Sequence, residues 1–72
     1  MKVFSERLKQ LRKAQKLKQT DMAQLLGITA RHYQEVEYGH IDIPSSKLVL
    51  LADYFDVSLD YLCGRSDVPE RR

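Results

Sequence analysis

The chain has 72 residues, 43% of them hydrophobic and 31% charged, with a formal charge of +2 and one cysteine. That length holds a single small domain whose core supplies only about 3–5 kcal/mol, and it leaves no room for a large enzymatic pocket. One cysteine, Cys63, excludes an intramolecular disulfide or a multi-thiolate metal finger, and no apolar run approaches a membrane span or a signal segment.

Helical spacing recurs along the chain, and no stretch alternates as a half-buried strand would. Phe4, Leu8 and Leu11 predict a first helix, with Ser5 as its candidate N-cap and an end near residues 14–16. Met22, Ala23, Leu25 and Leu26 predict a second, stopped by Gly27, because glycine accepts the positive φ found just past a helix end. Thr29 caps a third segment in which Tyr33 and Val36 share a face, and Tyr38 and Gly39 end it. Residues 40–44 read as a loop. Ser45 or Ser46 then caps a fourth helix carrying Leu48, Leu51, Ala52 and Phe55, which Asp56 breaks. Val57 packs back, Ser58 caps a short fifth helix with Leu59 and Leu62, and Gly64 closes the domain. The expected organisation is a folded domain over 1–65 and a flexible tail over 66–72.

Charge is distributed unevenly. Residues 1–18 carry seven Lys and Arg against Glu6, a local charge of +6, whereas 19–40 and 41–72 are each −2. A positive field at one end suits a polyanionic partner, although a solvated basic helix gives the same pattern. The spacing inside 19–38 sharpens the choice. Two helices crossing steeply need a small side chain where they approach, a residue tolerant of left-handed backbone where they reverse, and apolar residues filling the wedge. Ala23, Gly27, and the set Ile28, Tyr33 and Val36 meet these needs in register, which is a helix-turn-helix. The outward face of its second helix presents Ala30, Arg31, Gln34 and Glu35, with Thr29 at its start. Short, hydrogen-bonding groups of this kind fit a major groove about 12 Å wide.

The stretches Phe4-Ser5-Glu6-Arg7-Leu8-Lys9-Gln10-Leu11-Arg12, Leu17-Lys18-Gln19-Thr20-Asp21-Met22-Ala23, Leu26-Gly27-Ile28-Thr29, Val36-Glu37-Tyr38-Gly39 and Leu51-Ala52-Asp53-Tyr54-Phe55 through Leu62 carry a likeness. Over 4–64 the chain resembles the phage Cro/repressor, or XRE-type, helix-turn-helix transcriptional regulators. The resemblance implies an all-α, five-helix, lambda-repressor-like domain that binds operator DNA, usually as a symmetric dimer. It places Ala30, Arg31, Gln34 and Glu35 at base-reading positions. Arg31 suits guanine O6 and N7; Glu35 either accepts from cytosine N4 or orients Arg31 one turn away. Gln19 matches a phosphate-binding glutamine at the start of the second helix. Lys18 stands where relatives carry Thr or Ser, losing a hydroxyl cap and adding a charge. The expected phosphate contacts are Lys18, Gln19, Thr29, His40 and Lys47. Arg12 and Glu37 match a partly buried salt bridge that orients the recognition helix. The loop at 40–43 departs from relatives in its poverty of Lys and Arg.

His32, His40 and Cys63 lack further ligands at finger-like spacing, so neither a metal nor any other cofactor is expected. Cys63 reads as a small buried hydrophobe. No nucleophile–base pair, carboxylate pair or phosphate-cradling glycine loop points to an enzyme. The expectation is a non-enzymatic, cytoplasmic repressor that reads a palindromic operator on double-stranded DNA. Its homodimer, formed in solution or only on DNA, would meet near residues 55–65. The alternative is a protein-interaction module of the same fold, antitoxin-like or antirepressor-binding.

Overall fold

A computed structural model describes residues 2–70; of the expected domain and tail, residues 1, 71 and 72 lie outside the described residues. All regular structure among the described residues is helical: α1 (Lys2–Ala14), α2 (Gln19–Leu26), α3 (Ala30–Glu37), α4 (Ser45–Phe55) and α5 (Leu59–Leu62). The all-α, five-helix architecture is the expected one. One core joins them: Phe4 and Leu8 from α1, Met22, Ala23 and Leu26 from α2, Tyr33 and Val36 from α3, Leu51, Ala52 and Phe55 from α4, and Leu62 from α5. Ile43 and Val57, on the segments flanking α4, complete it.

Each helix stops for a local reason. Beyond α1, Lys16 turns into the left-handed region at φ 58°. Its N–H donates to the Lys13 carbonyl at 3.0 Å, and that of Leu17 to Arg12 at 3.1 Å, the paired bonds of a Schellman motif. Gly27, at φ 67°, does the same after α2, with Ile28 N–H donating to Ala23 at 3.0 Å. Asp56, at φ 54°, ends α4.

Helix starts are less regular than expected. α1 begins at Lys2, so Ser5 is an interior, buried residue of the helix and not its N-cap. The N-cap of α4 is Pro44, at φ −64°, and both serines lie inside the helix. Proline serves there because its fixed φ suits a helix start and the first N–H groups of a helix lack intrahelical partners anyway. Thr29 and Ser58 do cap as expected, accepting from His32 N–H at 3.1 Å and Tyr61 N–H at 3.0 Å. Cys63 is only half-buried, and Leu59 is exposed.

Residues 66–69 of the expected tail lie back against the domain. Ser58 N–H donates to the Pro69 carbonyl at 2.8 Å. The Arg7 guanidinium stacks 4.1 Å from the centre of the Tyr61 ring and donates to the carbonyls of Tyr61 and Ser66 and to Asp67 Oδ1.

Candidate nucleic-acid interface

α3 has two unlike faces. Tyr33 and Val36 are fully buried, while Ala30, Arg31 and Gln34 are exposed and Glu35 is partly so. The short turn from Gly27 to Thr29 follows from the left-handed glycine and the threonine cap, and it sets α3 against α2 with its polar side outward. Among the described residues the Arg31 side chain has no ion-pair or hydrogen-bond partner. It is therefore an uncommitted planar fork of donors on an open helix face.

The orientation of that face is held from beneath. Arg12 Nε donates to Glu37 Oε2 at 2.8 Å and Arg12 Nη2 to Glu37 Oε1 at 2.9 Å, a bidentate pair linking α1 to α3. Arg12 Nη1 also donates to the Leu17 carbonyl at 2.8 Å, which ties in the turn before α2. Both side chains are buried. Burial pushes the Glu37 carboxyl up, but the hydrogen bonds and charge of Arg12, with help from Gln19, outweigh it and hold the group below the ordinary carboxylate range. The same bond to Glu37 raises Arg12 further. Tyr33 places its hydroxyl beside the pair, and burial pushes its ionisation well up.

The pair continues to the surface. Gln19 Nε2 lies 3.4 Å from Glu37 Oε1, and Gln34 Nε2 lies 3.4 Å from Gln19 Oε1. A chain of polar contacts thus runs from the buried ion pair, through the first residue of α2, to the exposed face of α3. Lys18 is exposed at the N-cap of α2; with no hydroxyl to offer, its backbone N–H instead donates to Asp21 Oδ2 at 2.8 Å. That is the reciprocal half of a capping box.

Lys47 and His40, two of the expected phosphate residues, also have intramolecular partners. Lys47 Nζ donates to the Leu26 carbonyl at 2.6 Å, placing its ammonium at the C-terminus of α2, where a cation is favoured. His40 Nδ1 lies 2.7 Å from Glu35 Oε2, so Glu35 turns to the histidine rather than to Arg31. Sequence reasoning missed both contacts, along with the clamp made by Arg7. The His40 contact had a local signal. A left-handed Gly39 reverses the chain over the last turn of α3, bringing residues five apart together. Among the described residues, no three His, Cys, Asp or Glu side chains group as metal ligands, and no helix is long and apolar enough to cross a membrane.

The helix-turn-helix family model matches residues 8–62. The uncharacterized HTH-type transcriptional regulator YobD of Bacillus subtilis is 41% identical over 68 residues, 94% of this chain and 61% of its own length. YqaE, another uncharacterized HTH-type transcriptional regulator of that bacterium, is 45% identical over 60 residues, 83% of this chain and 52% of its own. The cryptic phage CTXphi transcriptional repressor RstR of Vibrio cholerae is 40% identical over 62 residues, 86% of this chain and 55% of its own. The chain thus spans between half and about three-fifths of the length of these relatives.

Proposed function

The chain belongs to the XRE-type helix-turn-helix family, and from that premise we propose that it is a sequence-specific, double-stranded DNA-binding transcriptional regulator. In finer form it is a repressor that reads a palindromic operator as a homodimer, a reading favoured by its likeness to a phage repressor. The family is one of non-enzymatic DNA-binding proteins, and the residues assigned here bind rather than react.

The observation that carries the reading is the exposed polar face of α3, backed by a fully buried apolar face and bearing an Arg31 that is unpaired among the described residues. In this reading Ala30, Arg31, Gln34 and Glu35 meet base edges, and Lys18, Gln19 and Thr29 meet phosphates near the start of α2 and α3. Gln19 retains a second amide hydrogen for a phosphate when the first points at Glu37. His40 and Lys47, also expected at phosphates, hold intramolecular partners instead, and this reading gives them no phosphate.

Selection of bound sequences from random duplexes tests the proposal, together with a salt titration. A two-fold-symmetric consensus, with log affinity falling steeply against log salt, is expected. Replacing Arg31 should relax one position in each half-site at a cost of about 1–3 kcal/mol. No selected sequence, or affinity indifferent to salt, would reject the function.

A further inference from the structure

The end of α3 is built so that one residue grips another twice. Gly39, at φ 84°, folds the chain back, and its N–H donates to the Val36 carbonyl at 3.0 Å. The His40 N–H donates to the carbonyl of Glu35 at 3.0 Å, and the His40 ring meets the carboxylate of the same residue at 2.7 Å. The Tyr38 ring lies 5.9 Å away, tilted by 56°, and flanks the imidazole. A carboxylate only accepts, so Nδ1 is the donor in this contact whatever the charge of the ring. With Oε2 engaged, Oε1 is the acceptor left for a base.

We propose that His40 is a positioning residue for base recognition: it holds the Glu35 carboxylate on the reading face of α3 and so sets base preference at the position Glu35 meets. The inference rests on the DNA-reading function proposed above. A glutamate on an open helix face samples several rotamers and loses that freedom on binding. One whose carboxylate is held before the groove closes on it has less to lose, which is the gain from preorganisation. The group so held is acceptor-only. It favours the amino group at cytosine N4 and is repelled by the O6 and N7 acceptors of guanine. The division of labour on α3 follows: Arg31, unpaired, is the donor that suits guanine, and Glu35, held by His40, is the acceptor that suits cytosine. The His40 side chain is 67% exposed and that of Glu35 33%. Exposed pairs of this kind contribute little to folding, so variants here should remain folded.

The test is selection from random duplexes with wild type, Glu35→Gln, His40→Ala, His40→Asn and the double variant Glu35→Gln with His40→Ala, each checked by its melting curve. Glu35→Gln should flatten preference at one position per half-site by about tenfold, the scale of one good base contact. His40→Ala should flatten that same position and no other, with the salt slope unchanged. His40→Asn, whose amide can donate in place of Nδ1–H, should restore most of the preference. The double variant should be no worse than Glu35→Gln alone. Preference retained in His40→Ala overturns the proposal. So does an equal loss across all sequences with a shallower salt slope, which would make His40 a phosphate contact. If Glu35→Gln leaves every position unchanged, Glu35 is no reader and the proposal falls while the DNA-binding function stands. If wild type selects nothing, both fall together.

Discussion

Glu37 is 6% exposed and Arg12 9%, in a chain whose whole core is worth only a few kcal/mol. Removing one partner of a buried pair strands the other's charge, at about 3–5 kcal/mol. Glu37→Ala or Arg12→Ala should therefore consume most of the stability and leave the chain largely unfolded by circular dichroism at room temperature. The joint replacement Arg12→Met with Glu37→Leu should stay folded, since neither charge is left buried. Melts of the single variants close to wild type would show that the pair holds nothing. The same pair gives stability a pH dependence of definite sign. Glu37 is depressed in the folded state, so its contribution is complete above its unfolded value, about 4.3. That contribution is lost as pH falls through the lower, folded value. Arg12, raised from an already high value, adds no slope in the acid range. Urea titrations between about pH 6 and pH 3 should show a steep acid loss in wild type and a flatter one in the apolar double variant.

Among the elements, what was legible in the sequence was what is local. The burial of Phe4, Leu8, Met22, Leu26, Tyr33, Val36, Leu51 and Phe55 follows from spacing, as do the turn at Gly27 and the caps at Thr29 and Ser58. Ser5 misled because a serine near an apolar run looks like a cap, whereas the preceding residues already continue the helix. The exposed face of α3 was readable from its residues, and the Glu35–His40 contact had its signal in Gly39, but the partner of Lys47 was not legible. That contact depends on where α4 lands. Two turns test the account of helix ends. A Cβ added at Gly27 would meet nothing within 4 Å, so Gly27→Ala should cost only its left-handed conformation, about 1–2 kcal/mol. Lys16 bears that same conformation with a side chain, and Lys16→Gly should gain about 0.5–1 kcal/mol. Opposite shifts in the urea midpoints of the two variants are the expected outcome. Lys47 is an element-scale residue too. Lys47→Met should lose about 1–2 kcal/mol of stability, as a charged hydrogen bond to a helix end would. It should leave the salt slope of DNA binding unchanged, whereas Lys18→Ala should reduce that slope by about one.

At the scale of the molecule, charge and size would set how two copies of the proposed dimer share a duplex. The +6 carried by residues 1–18 lies in α1 and the turn leading into α2, so the positive field and the start of the helix-turn-helix belong to one region of the chain. Residues 41–72, which hold α4 and α5, total −2, which disfavours binding through those elements. The body measures 31 × 22 × 20 Å. Two recognition helices in successive major grooves on one face of B-DNA sit about 34 Å apart. With the long axis along the duplex, copies so placed would be about one molecular length apart and close enough to meet across the dyad. Cooperative binding should then depend on the helical phase of the half-sites. Inserting about five base pairs between them turns one copy roughly half a revolution around the duplex, to the opposite face. Fluorescence anisotropy should show that this insertion reduces two-site binding to the affinity of an isolated half-site, while the native spacing binds both copies at once. Equal affinity for the two spacings would mean that each copy binds alone, and the homodimer would drop out of the proposed function.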